Sequence, residues 1–187
     1  MSHRKFDTCF FERYARTTLE SILGPAYSDL VNEDRPDLQM PDRSLGSEVT
    51  RAMDSNKHVA QAMRKDGRYI GSIEYEYWQL AHPLRRIIES KVSKVGSGFY
   101  GSFSEYGLYI FCKDDLSYDE VILTMEYTSD LQRHLDIRYS TMYLSLIDKL
   151  YVCDLTSSDS LSPHNAKCTS YDISRKMCKD FFLKAMD

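Results

Sequence analysis

Apolar positions recur along this chain at two periods, and the switches between them lay out its elements. From Phe10 to Leu23 the residues Phe11, Tyr14, Ala15 and Ile22, with Leu19 at the edge, gather on one helical face, and Gly24-Pro25 ends the run. Pro83 to Val95 repeats the pattern: Leu84, Ile87, Ile88 and Val95 share a face, proline is allowed in the first turn, and Gly96 closes the helix. Asp54 to Lys65 (through Val59, Ala60 and Met63), Ser117 to Leu135 and Ser174 to Met186 read as further helices. Ser117, with Glu120 three positions on, has the pattern of a capping box. Asp34 to Gln39 and Ser44 to Thr50 read as short strands joined by the turn Met40-Pro41-Asp42-Arg43. Tyr106 to Cys112 reads as a central strand, and Tyr139 to Leu146 with Leu150 to Leu155 as a late hairpin. Gly96 to Gly101 is a flexible turn, and Arg68 to Trp78 alternates aromatics with acids as a strand or an irregular arm.

These elements predict an α/β (α+β) fold with a central mixed sheet flanked by helices. At 187 residues one domain is expected, with a core over 1–155 and the loop and helix of 156–187 appended to it. No apolar run reaches the length of a membrane span, so no membrane partner is expected. Met1-Ser2-His3-Arg4-Lys5 is basic but lacks the apolar core of a signal peptide, which makes the cytoplasm the expected location.

Five cysteines, Cys9, Cys112, Cys153, Cys168 and Cys178, are odd in number and widely spaced, which predicts neither a disulfide framework nor a zinc site. Cys112 and Cys153 end apolar runs and are expected as buried thiols. The net charge of −4 argues against a general nucleic-acid-coating protein but leaves room for local basic patches. Two such runs stand out: Arg51, Lys57, Arg64, Lys65 and Arg68, then Arg85, Arg86, Lys91 and Lys94; solvated helix faces have the same look.

Candidate chemistry lies in the first hairpin. Side chains alternate along a strand, so Glu48 and Thr50 share one face, and Leu45, Ser47 and Val49 the other. A hairpin that brings Asp37 beside Glu48 creates an oxygen-rich pocket suited to a hard cation such as Mg²⁺, the minimum needed for metal-assisted phosphodiester cleavage. Most acidic pairs at this spacing are simply solvated.

Pro36-Asp37, the hairpin, and Glu48-Val49-Thr50 resemble the signature of the PD-(D/E)xK nuclease superfamily: proline-aspartate, a hairpin, then an acidic residue, any residue and lysine. The order helix, three strands, helix, strand also agrees with the core of that superfamily. The resemblance implies a restriction-endonuclease-like core and a Mg²⁺ (or Mn²⁺) ion held by Asp37 and Glu48. Thr50 stands where the family has its catalytic lysine. A threonine hydroxyl can donate a hydrogen bond but cannot put a fixed positive charge beside the attacking water and the developing oxyanion.

Lys91 is the candidate replacement. It falls in the middle of the apolar face of the Pro83–Val95 helix, where an unpaired ammonium would be costly. Either its stem snorkels to a rim or its charge meets a buried carboxylate. Lys94 lies on the flank of that face. The superfamily often draws a further metal-site carboxylate from the first helix, which points to Glu12 at the border of the apolar face rather than Glu20 opposite it. Gln61 is a candidate for a phosphate or water contact. Aromatics between Tyr69 and Trp78 would stack unpaired bases, or else fill a core or a homodimer contact.

Three readings result. The first is a metal-dependent nuclease-like protein cleaving phosphodiester bonds in DNA or RNA, its activity put in question by Thr50. The second is a non-catalytic module that keeps the nuclease fold and binds nucleic acid or a protein. The third is an unrelated α/β protein in which the motif is coincidence.

Overall fold

The computed structural model describes residues 9–52, 83–112, 116–156 and 167–187. The expected helix Asp54–Lys65, the aromatic segment Arg68–Trp78 and Gln61 lie outside the described residues, as do Lys57, Arg64 and Lys65. Helix α1 (Phe10–Leu23) and a short 3₁₀ turn (Pro25–Tyr27) lead into strands β1 (Val31–Asn32), β2 (Leu38–Gln39) and β3 (Leu45–Ala52). Then follow α2 (Pro83–Gly96), β4 (Glu105–Cys112), α3 (Tyr118–Gln132), β5 (Thr141–Ser145), β6 (Lys149–Asp154), β7 (Cys168–Asp172) and α4 (Arg175–Met186).

The seven strands form one sheet in sequence order, antiparallel from β1 to β3, parallel from β3 to β5 and antiparallel again to β7. The two parallel pairings require crossovers, and α2 and α3 lie within them. Both helices pack on one face of the sheet, where Leu84, Ile88 and Val95 of α2 and Val121 and Met125 of α3 meet Leu108 and Ile110 of β4. On the opposite face α1 and α4 close over Val49, Tyr109, Phe111 and Tyr143. A mixed sheet flanked by helices is therefore what the sequence patterns form. Strand β4 is buried on both faces, which is why it reads as a continuous apolar run rather than an alternation.

Local chemistry sets the helix ends. Gly24 takes φ 82° after α1, a conformation that favours glycine, and its N–H reaches Glu20 O at 3.1 Å. Ser117 caps α3 reciprocally with Glu120: the Ser117 N–H donates to Glu120 Oε2 at 2.8 Å, and Glu120 N–H to Ser117 Oγ at 3.3 Å. The helix stops at Gln132 rather than running to Leu135. There the buried Gln132 amide forms a two-way bridge to the Tyr139 backbone, at 2.8 and 2.9 Å, and turns the chain toward β5.

Two more differences are physical. Strand β2 begins at Leu38, not Asp34, because Arg35 has φ 63° and Pro36 has no N–H for a ladder. Strands β1 and β7 do not show in the pattern: the first is two residues long, and the second, Cys-Thr-Ser-Tyr-Asp, is a largely exposed edge without apolar alternation. Strand β7 extends the sheet, and α4 buries Cys178, Phe181, Phe182 and Ala185 against α1, so the described part of 156–187 is integral to the core. Among the described residues no helix is long and apolar enough to cross a membrane.

Candidate functional site

The β2–β3 turn closes through two backbone bonds, Arg43 N–H to Met40 O at 2.8 Å and Met40 N–H to Leu45 O at 2.9 Å. The register that pairs Leu38 with Ser47 carries Asp37 to the level of Glu48. Because β2 has ended there, the Asp37 side chain takes over a bond of the ladder: Oδ2 accepts from the Val49 N–H at 2.7 Å. The aspartate is thus held by backbone rather than left on a solvated loop.

Alternation along β3 turns Glu48 toward the layer of α2 and α3, the side on which Ala52 is buried, while Val49 faces α1. Leu84, Ile88, Val92 and Val95 of α2 are buried on that side, and Lys91 projects from among them. Its Nζ donates to Glu48 Oε1 in a short ion pair. The two side chains are only 16% and 9% exposed, so the pair is nearly withdrawn from water. Of the two fates open to a lysine on an apolar face, this is the buried carboxylate.

Two tyrosines close this side. The Tyr139 hydroxyl donates to the Lys91 carbonyl at 3.3 Å. The Tyr100 hydroxyl is buried beside Glu48 and Tyr139 and makes no hydrogen bond of normal geometry among the described residues. Burial, and then the Glu48 charge, push the Tyr100 pKa up; burial and then Tyr100 do the same for Tyr139. Both remain neutral hydroxyls at physiological pH.

Asp37 is the group of the site whose shift falls near neutral pH. Its pKa is pushed up to about 7, first by burial and next by the negative charge of Glu48, with a smaller push from Glu12. The Val49 N–H and the Lys91 cation pull the other way. Glu12 of α1 is therefore within electrostatic reach, and it lines a cleft of about 150 Å³ with Phe11, Val49, Thr50 and Arg51. Arg51 lies 5.1 Å over the Phe11 ring, and burial lowers its pKa. Thr50 is half-buried in this cleft, one step beyond Glu48 on the strand.

A basic and aromatic rim borders the site. Phe99, 46% exposed, packs edge-on against Tyr100 with ring centroids 5.3 Å apart. Arg35, two residues before Asp37, and Lys94, one turn after Lys91, lie 5.2 and 5.3 Å from the Phe99 ring centre. Lys94 therefore serves this rim rather than the carboxylates. Sequence reasoning missed Tyr100, Tyr139 and the rim. The Phe99-Tyr100 pair inside the glycine turn after the lysine-bearing helix was the available signal; nothing local marks Tyr139.

Asp37 and Glu48 present an excess of negative charge that Lys91 offsets only in part, and hard cations such as Mg²⁺ are often held by one or two carboxylates with waters and substrate phosphate completing the shell. The donor set fits such an ion. Among the described residues no group of three or more His, Cys, Asp or Glu side chains is placed to hold a metal, and Glu12 acts on Asp37 more weakly than Glu48 does. Comparison of the chain with protein-family models, curated proteins and solved structures finds no match.

Proposed function

We propose that the protein is a metal-dependent, nuclease-like phosphodiesterase of the PD-(D/E)xK type, in which Lys91 takes the part of the lysine replaced by Thr50. The observation that carries this reading is the Lys91–Glu48 ion pair next to Asp37. The helix Pro83–Gly96 brings a cation onto Glu48, two residues from the threonine that stands in the lysine's place. Among the described elements the order helix, three strands, helix, strand supports it as well.

On this reading Asp37 and Glu48 hold Mg²⁺ or Mn²⁺, with Glu12 adding long-range negative charge. Bound there, the ion supplies Lewis acidity toward a phosphoryl oxygen and toward water. The Val49 N–H fixes the Asp37 carboxylate. Lys91 orients Glu48 and places positive charge beside the oxyanion that develops on phosphorus. With a pKa of about 7, Asp37 is a carboxylate that exchanges its proton near neutral pH, suited either to proton transfer or to release of that proton when a cation binds. Arg35 and Lys94 would meet phosphates, and the exposed Phe99 ring offers a stacking surface for an unpaired base, an arrangement suited to single-stranded nucleic acid.

Calorimetric titration with Mg²⁺ and Mn²⁺ tests the ligand assignment. Binding to the wild type and its loss in Asp37→Asn and in Glu48→Gln are expected; equal binding by all three proteins removes the reading.

One observation favours a second reading, a non-catalytic module that binds nucleic acid or protein on the same fold. Glu48 is already engaged by Lys91, so the pair neutralises a carboxylate that a metal would need. That module would bind no divalent ion at millimolar concentration and would still bind an oligonucleotide through Phe99, Arg35 and Lys94.

A further inference from the structure

At the far edge of the sheet, remote in strand order from Asp37 and Glu48, two free thiols face each other across β6 and β7. The register pairs Cys153 directly with Cys168. In the next pair along, Asp154 donates its N–H to Lys167 O at 2.9 Å, which makes that a hydrogen-bonded pair. Hydrogen-bonded and non-hydrogen-bonded pairs alternate in an antiparallel ladder, so Cys153 and Cys168 occupy the second kind. There the Cα atoms approach to about 4.5 Å and side chains stand closest, inside the range of roughly 4.4–6.8 Å that a disulfide spans. The two Sγ atoms are 2.8 Å apart. Cys153 is buried and Cys168 half-buried, so one thiol is sheltered and its partner is open to a small reagent. The contact with Cys153 holds the Cys168 thiol below its usual range, and the contact with Cys168, with burial, pushes Cys153 up. Since the thiolate is the reactive form, Cys168 is the first to react.

We propose that Cys153 and Cys168 are a reversible dithiol–disulfide site, oxidised by hydrogen peroxide and reduced by small thiols. The Cys168 thiolate attacks one peroxide oxygen; the O–O bond breaks, hydroxide leaves and takes up a proton as water, and Cys168 becomes a sulfenic acid. The Cys153 sulfur then attacks the Cys168 sulfur; the S–O bond breaks, a second water leaves carrying the Cys153 proton, and the S–S bond forms. Two thiols and one peroxide give one disulfide and two waters, with two electrons passing from sulfur to oxygen. The bond would fasten β7, and through Ile173 the start of α4, to the rest of the sheet. Spacing alone had predicted no disulfide, because a cross-strand partner fifteen residues away leaves no local signature.

The test uses the full chain carrying Cys9→Ser, which removes the exposed thiol. After peroxide treatment the protein is denatured, alkylated with N-ethylmaleimide and weighed. The expected result is the loss of two alkylation sites and of the mass of two hydrogens, a linked peptide pair containing Cys153 and Cys168, full reversal by dithiothreitol, and a higher Tm for the oxidised form. Adding Cys153→Ser should leave a Cys168 sulfenic acid that dimedone captures. Alkylation of both residues after peroxide, or linkage of either one to a different cysteine, overturns the proposal. The wild-type mapping stands even if a serine variant folds poorly.

Discussion

Asp37→Asn should make the metal-free protein more stable at pH 8 and leave it nearly unchanged at pH 4. The carboxyl of Asp37 rises from its ordinary 3.8 to about 7 in the folded state, because burial and the neighbouring Glu48 penalise its charge. Below pH 3.8 it is protonated whether folded or unfolded, and no penalty arises. Between 3.8 and about 7 the folded chain keeps a proton that the unfolded chain has released, so stability falls as pH rises through that window; above it the whole penalty is present. At about 1.4 kcal/mol per pH unit the ceiling is about 4 kcal/mol. Asp37 is only partly buried, and solvent screening brings a realistic value to about 1–2 kcal/mol. Asparagine keeps an oxygen to accept from the Val49 N–H and never ionises. For a chain of this size the gain corresponds to roughly 3–6 °C in Tm. Thermal unfolding followed by circular dichroism, in EDTA from pH 4 to 8, reads the difference directly. A Tm difference that does not change with pH, or an Asp37→Asn protein less stable than wild type at pH 8, would refute the electrostatic reasoning. A gain that grows from pH 4 to pH 8 would instead mark Asp37 as destabilising in the folded state for the sake of the site, as is common where function sets the charge.

Other expectations follow from the same contacts. Lys91→Met strands the Glu48 carboxylate in a nearly dry site and should cost about 3 kcal/mol, roughly 6–12 °C in Tm, with much of it recovered by adding Glu48→Gln; an unchanged Tm in the single variant would contradict the buried pair. At Gly46 an added Cβ would meet Phe103 and Pro36 at 2.8 Å, so Gly46→Ala should lower stability by about 1–3 kcal/mol in urea unfolding and disturb metal binding through the Pro36-Asp37 step. Phe99→Ala should weaken fluorescence-anisotropy binding of a single-stranded oligonucleotide by about 1–3 kcal/mol, with little effect on a blunt duplex; equal loss for both would assign Phe99 to something other than base stacking.

Where periodicity and punctuation coincide, the fold is legible in the sequence. The face of α1 and its Gly24-Pro25 stop, the capping box of α3 and the apolar run of β4 all carry their element in a handful of neighbouring residues. Lys91 was legible for a subtler reason: a charge at a core position of a helix demands a partner, and the alternation of β3 offered Glu48 on one face. What stayed hidden depends on contacts distant in sequence. Strand β7 exists because the edge of β6 accepts it, not because its own polar residues prefer extension. Tyr139 reaches the back of Lys91 only after α3 has turned the chain at Gln132. The Cys153–Cys168 contact likewise depends on register, which spacing cannot specify.

Whether Lys91 replaces the motif lysine in a working site is read from one measurement, the cleavage of labelled single-stranded and duplex DNA and RNA. It should be made with saturating Mg²⁺ or Mn²⁺, well below the melting temperatures, on the wild type and on Lys91→Met. Metal-dependent cleavage by the wild type is expected, with a fall of about 10²–10³-fold in the variant, the usual effect of removing one group that stabilises transition-state charge, and with metal affinity nearly unchanged. Cleavage by Lys91→Met at the wild-type rate, or no cleavage of any of these substrates by the wild type, would contradict it.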